Sequence, residues 1–190
     1  MEDRGKEGYC RMSVFLQDDH VQLRKLSVND NLNNYLSFVN ETENLRWVEG
    51  IGRLPLNHDD VAKFIRDHDG LLLSIFNQAG EHVGNLQFTW INHINGNAQF
   101  GALVGRRFSG QGYAFAACRL ALIHAFEVLN LHRVFLTVIS GNTAAIRLWE
   151  KLGFQREGIE RDCHRLDGRY YDGIRYSMLE DEYRLLRGNW

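Results

Sequence analysis

The sequence predicts a fold of the α/β (α+β) class, on three observations. Apolar runs at strand spacing gather in the middle of the chain around Asn95-Gly96, the dipeptide best suited to a two-residue hairpin turn. The glycine-bearing segment Arg107-Phe108-Ser109-Gly110-Gln111-Gly112-Tyr113-Ala114 follows a strand-like run and opens into a long apolar helix-like run. After it the pattern alternates strand, helix and strand again.

The elements follow in order. Residues 1–20 are polar and aperiodic and read as a flexible lead-in, with structure expected from Val21 onward. Val21-Gln22-Leu23-Arg24-Lys25-Leu26 alternates as a half-buried strand does, and Ser27 to Asp30 offers caps for a helix carrying Tyr35, Leu36, Phe38 and Val39. Glu41 to Pro55 holds Trp47, Glu49, Gly50 and Gly52 and suits an ordered loop over a cleft. Asn57 caps a helix through Val61, Phe64 and Ile65, and Leu71 to Phe76 reads as a buried strand. Val83 to Ile94 and Asn97 to Gly105 complete an antiparallel meander.

Tyr113 to Leu129 is apolar on most faces and predicts a deeply packed helix, followed by a buried strand from His132 to Ile139. Asn142 caps a helix bearing Ile146, Leu148, Trp149 and Leu152, which Gly153 stops in left-handed conformation. Phe154 restarts extended chain, and a last strand runs from Arg169 to Leu179 after the turn at Asp167-Gly168. A single domain over residues 21–187 accounts for all of this.

Composition narrows the function. At 190 residues, 44% of them apolar and 12% aromatic, the chain can build one adequate core. A formal charge of −2 with mixed signs offers no basic stripe for nucleic acid. Cys10, Cys118 and Cys163 are isolated, which fits a reducing, cytoplasmic setting better than a disulfide framework, and the scattered histidines predict no metal site. No apolar run is long enough for a bilayer span, so no membrane partner is expected. The exposed end of such a sheet often pairs, which makes a homodimer the assembly to look for.

The glycine loop is where chemistry enters. The first turn of a helix presents backbone N–H groups without intrahelical partners and the positive end of the helix dipole, and phosphate binds there. Gly110 and Gly112 allow a sharp turn and close approach, and Arg106 and Arg107 add charge. The nucleoside-triphosphate loop Gly-x-x-x-x-Gly-Lys-Ser/Thr is absent, as is the third glycine of the dinucleotide fingerprint. A tight turn without any ligand is the competing reading.

Arg107-x-x-Gly110-x-Gly112, a long helix, a buried strand, Asn142-x-x-Ala145 and Leu152-Gly153-Phe154 together resemble the GCN5-related N-acetyltransferases (GNAT), from about Val21 to about Glu182. Leu23-Arg24, Glu157-Gly158, Asp167-Gly168-Arg169-Tyr170 and Asp172 resemble the branch of ribosomal-protein N-terminal and amino-sugar acetyltransferases. The resemblance implies a mixed, mostly antiparallel central sheet with helices on both faces, and a splayed pair of strands, Gln99 to Gly105 and Arg133 to Ile139, with acetyl-CoA in the gap.

It further implies that Arg107, Ser109, Gly110, Gln111, Gly112, Tyr113 and Ala114 cradle the pyrophosphate. Leu103 and Val104 would offer main-chain groups to the pantetheine arm, and Asn142 would reach the cofactor from the far wall. The implied reaction moves an acetyl group from acetyl-CoA to a primary amine, with a protein N-terminus or amino sugar favoured as acceptor; a non-catalytic acyl-CoA-binding or regulatory domain is the alternative. Two positions depart from the family. Gln99 stands where many relatives carry a proton-accepting Glu, and Trp149 where many carry a proton-donating Tyr. An indole N–H donates a hydrogen bond but not a proton. Trp149 reads equally as core or as lining the sulfur. Glu49, His93, His164 and Asp172 are the remaining candidates for handling the amine proton, His93 also reading as an exposed hairpin histidine.

Overall fold

In a computed structural model, which describes residues 13–47 and 54–190, eight strands form one sheet in the order β1-β2-β3-β4-β5-β6-β8-β7. The strands are β1 (Val14–Gln17), β2 (Val21–Lys25), β3 (Gly70–Asn77), β4 (His82–Asn92), β5 (Asn97–Val104), β6 (Arg133–Ile139), β7 (Gln155–Leu166) and β8 (Arg169–Leu179). Every neighbouring pair is antiparallel except β5 and β6. The helices are α1 (Asn33–Asn40), α2 (Thr42–Leu45), α3 (His58–Asp67), α4 (Tyr113–Glu127), α5 (Thr143–Leu152) and α6 (Glu180–Leu186).

The two faces of the sheet carry different helices. On one, Ala98 and Phe100 of β5, Leu86 and Phe88 of β4, and Val134, Leu136 and Val138 of β6 join Ala117, Ala121, Leu122 and Ala125 of α4 and Trp149 and Leu152 of α5 in one core. Small alanines on α4 let it lie close to the sheet. On the other face, Tyr35 and Val39 of α1 and Val61 of α3 pack with Leu26, Leu32 and Leu72 in a smaller cluster.

Local chemistry explains most boundaries. The Asn57 side chain accepts from the N–H groups of Asp59 and Asp60, at 2.8 and 3.1 Å, and Asp60 returns the bond to the Asn57 N–H. Asn142 accepts from the Ala145 N–H at 3.1 Å, and Gly153 ends α5 at φ 95°.

Four features depart from the sequence reading. A strand, β1, lies inside the segment expected to be a flexible lead-in. It pairs with β2 through its backbone while Val14 and Phe15 stay 40% and 43% exposed, so no burial period marks it. Ser27 to Asp30 do not cap α1. They close a turn in which Asp30 accepts from the Ser27 N–H at 2.6 Å, and α1 starts beyond Leu32 without a side-chain cap. The expected loop from Glu41 contains the short helix α2, and the chain beyond β8 adds α6, whose Tyr183 is buried against Phe126.

Candidate active site

The parallel pairing of β5 with β6 runs from Asn97 opposite Arg133 to Gln99 opposite Phe135 and stops there. Beyond it the two strands part, each held on its far side, β5 by β4 and β6 by β8. The gap is a cleft of about 490 Å³ lined by Gly101, Ala102 and Leu103 on one wall and by Leu136, Thr137, Val138 and Ile139 on the other. Strand edges facing a gap present backbone donors and acceptors, the complement of an extended, amide-bearing ligand.

The glycine loop continues β5. Arg106–Phe108 form a single 3-10 turn, Gly110 and Gly112 take φ 76° and 84°, and α4 begins at Tyr113 with no side chain capping Gly112. Positive φ at both glycines is what turns successive N–H groups outward, and a residue with a Cβ would be strained there. The N-terminus of α4 is therefore exposed at Gly112 and without a side-chain cap, the kind of helix start at which anions bind.

The loop is braced from three sides. Glu41 accepts from the Arg106 N–H at 2.9 Å and Glu43 pairs with the Arg106 guanidinium at 3.3 Å, so that arginine's charge is already engaged. The Gln111 side chain donates to the Arg107 carbonyl at 3.0 Å, and the Arg107 guanidinium lies 4.5 Å above the Phe108 ring. His20, from the turn between β1 and β2, donates from Nε2 to the Gln111 carbonyl at 3.0 Å and stacks on Tyr113.

The cleft opens on the face that carries α1 and α3. Asn85, Gln87 and Thr89 of β4 stand opposite Leu103, Gly101 and Gln99 of β5, so these side chains share one face of the pleat. Tyr35, Val39, Trp47 and Phe64 close the cavity from the helix side, and Trp90 stands at its edge, 67% exposed. Among the described lining residues Tyr35 is the one titratable group, and burial pushes its hydroxyl far above the ordinary phenol range.

Trp90 has an unusual backbone. The β4–β5 register shifts between Thr89 and Asn92, a bulge, and Trp90 within it takes φ 50°. A bulky side chain in the left-handed region costs about 1–2 kcal/mol. Bulges re-aim side chains, and here the indole turns onto the cleft.

A buried polar chain lies beside the cleft. The Asn85 Nδ2 donates to the Ser74 hydroxyl at 3.2 Å, and the His82 Nε2 lies 2.9 Å from the Gly84 carbonyl and 3.1 Å from the Asn85 side-chain oxygen. Burial against Phe38 and Phe76 pushes the His82 imidazole down to about 4. His82 is thus a neutral donor that fixes which way Asn85 points.

The residues expected from sequence fall into three groups. Gln99, Leu103, Asn142 and Trp149 meet in the one cleft. Trp149 is 4% exposed, packed edge-on against Phe100 and Phe154, and lines the cleft, so it is a core residue that borders the cavity. Arg107, Ser109, Gly110, Gln111, Gly112, Tyr113 and Ala114 form the loop and helix start beyond β5, with Val104 at the strand's end.

His93 lies exposed in the β4–β5 turn and is not among the residues lining the cleft, and Glu49 lies outside the described residues. Asp172 has a structural task, accepting from the Asp162 N–H at 2.9 Å across the β7–β8 hairpin, and His164 sits in that hairpin opposite Tyr171. Tyr35, Gln87, Thr89, Trp90, Thr137 and the brace His20 are missed by the sequence reading. Hairpin register, which puts Gln87 and Thr89 on the face of Gln99, is the one signal that could have found two of them.

Comparison with known proteins places this arrangement. A family model described as "Acetyltransferase (GNAT) domain" matches residues 20–155. The spermidine N(1)-acetyltransferase of Escherichia coli (strain K12) is 34% identical over 104 residues, which is 55% of this chain and 56% of that protein. The uncharacterized N-acetyltransferase p20 of Bacillus licheniformis is 36% identical over 109 residues, 57% of this chain and 61% of its own length. The chain thus matches little more than half the length of these curated relatives. The crystal structure of spermidine N-acetyltransferase from Vibrio cholerae in complex with CoA and spermine superposes with a TM-score of 0.78 at 25% identity, over 88% of this chain and 99% of that one.

Proposed function

This chain belongs to the GNAT acetyltransferase family, and from that premise we propose that it is an acetyl-CoA-dependent N-acetyltransferase acting on a primary amine. The observation that carries the reading is the parting of β5 and β6 after Gln99, with the outward-turned glycine loop and the start of α4 at the end of the same strand. The pyrophosphate belongs on the N–H groups from Gly110 to Ala114, the pantetheine arm along Leu103 and Val104, and the thioester near Trp149 and Asn142.

The reaction consumes a neutral amine. The nitrogen lone pair attacks the thioester carbonyl, the C–S bond breaks, the sulfur leaves as thiol, and an acceptor that arrives as ammonium releases one proton. With Gln99 where an acid–base residue would serve, an amide can orient the amine by accepting its N–H but cannot remove its proton. The described part of the cleft instead lowers the amine's pKa by desolvation, and water carries the proton away.

The acceptor is supported by the relatives. Two spermidine acetyltransferases, one of them solved with CoA and spermine, favour a polyamine over the protein N-terminus or amino sugar expected from sequence. A second reading, an acyl-CoA-binding domain without turnover, is favoured by the absence of carboxylate and imidazole among the described lining residues.

Thiol release from acetyl-CoA, measured across spermidine, a peptide amine and an amino sugar, decides between the readings. Amine-dependent release with spermidine at the head of the panel supports the transferase. Tight acetyl-CoA binding with no release from any amine supports the binding domain.

A further inference from the structure

We propose that Trp90 is the acceptor-recognition residue of the cleft, and that it captures the ammonium end of the amine on its ring face. The inference rests on the amine-acceptor reading above and adds to it how the acceptor is held.

The backbone is the first argument. Trp90 occupies a left-handed conformation, φ 50°, that glycine or asparagine would adopt with far less strain, and it does so in a bulge that breaks the β4–β5 register. A large ring kept at such a position points to a task for the ring. It is not a task in the core, because Trp90 is 67% exposed while it lines the cleft.

The second argument is charge. Among the described lining residues there is no Asp or Glu to meet an ammonium. What faces the cavity is aromatic or neutral and oxygen-bearing: Trp90 and Trp47, with the side chains of Thr89, Gln87, Gln99 and Thr137. An indole face attracts a cation through its quadrupole, and amide and hydroxyl oxygens accept the ammonium hydrogens.

The two tryptophans differ in what covers them. The Trp47 ring already has a cation, the Arg46 guanidinium 5.4 Å from its centre, whereas among the described residues no cation or aromatic ring covers Trp90. Among the described residues, then, the π face of Trp90 is unengaged and the cavity wall beside it is neutral. An ammonium captured there moves inward past Thr89 and Gln99, where desolvation favours the free base that the reaction consumes.

The test is equilibrium binding of spermidine, benzylamine, a peptide amine and an amino sugar to the CoA-saturated full-length protein, alongside W90F and W90L. With the ring retained, W90F binds its best amine within about threefold of the parent, while W90L, apolar but without a π face, binds it about tenfold more weakly. Both keep the parent's affinity for CoA. Equal loss in W90F and W90L, no loss in W90L, a parallel loss of CoA affinity, or failure of every amine to bind the parent protein would overturn the proposal. Trp90-dependent amine binding without acetyl transfer would instead sink the transferase reading and leave this one standing.

Discussion

The two walls of the cleft are built from different materials. The side proposed for the cofactor is backbone: a strand edge left free where β5 parts from β6, two glycines at positive φ and the start of α4. The side proposed for the acceptor is side chains drawn from separate segments: Tyr35 from α1, Trp47 after α2, Phe64 from α3, Gln87, Thr89 and Trp90 from β4, Gln99 from β5 and Thr137 from β6. A wall of backbone serves one ligand and tolerates change in side chains but not in glycines. A wall of side chains can be respecified residue by residue while the fold stands.

The largest effect should come from forcing a side chain into the backbone wall. A Cβ on Gly84 would lie 2.4 Å from the Leu103 carbonyl oxygen and 3.0 Å from the Val104 Cα, both backbone. Gly84→Val should cost about 3 kcal/mol or more of stability as overpacking and also lower CoA affinity, read by denaturant unfolding and by calorimetry. A variant with unchanged stability would show that β4 and β5 are not locked together along the cofactor track.

Acid comes next. Burial holds the folded-state pKa of His82 near 4, below the value of about 6.5 for a free imidazole. The unfolded chain therefore binds a proton that the folded chain refuses between these two values. The stability is fully present above about pH 6.5, falls as pH falls toward 4 and levels off below it, by about 3 kcal/mol in all. His82→Asn should flatten that segment of the pH–stability curve while lowering the plateau at neutral pH. An unchanged slope would move the acid sensitivity elsewhere.

A smaller, more selective effect separates the walls. Gly112→Ala places a Cβ at φ 84°, and should weaken acetyl-CoA binding about tenfold while leaving the amine KM unchanged at saturating acetyl-CoA. Equal loss for both substrates would join the two walls into one unit. The smallest effect belongs to the exposed pair Arg46–Asp167, 2.9 Å apart, which ties the end of α2 to the β7–β8 turn. Asp167→Asn should shift stability by less than about 1 kcal/mol.

The same contrast explains what is legible in the sequence. Glycine spacing and helix caps are local signals, so Gly110, Gly112, Asn142 and Gly153 mark the loop and both ends of α5 by residue type and position alone. Gln99, Leu103 and Trp149 follow because strand register and the family pattern place them. Trp90 is hidden, because a bulge breaks the period by which strand faces are read, and its φ leaves no mark in an indole side chain. Tyr35 and Phe64 look like ordinary helix core, and sequence cannot say that this core borders a cavity. Strand β1 is hidden for a related reason: an edge strand held by backbone pairing buries little, here only part of Leu16 against the core.

If the parted strands and the glycine loop form an acetyl-CoA site, the chain must bind that ligand on its own. Calorimetric titration of the full chain with acetyl-CoA tests it most directly. The account predicts saturable heat with one site per chain, abolished by prior saturation with CoA. A flat titration would contradict it.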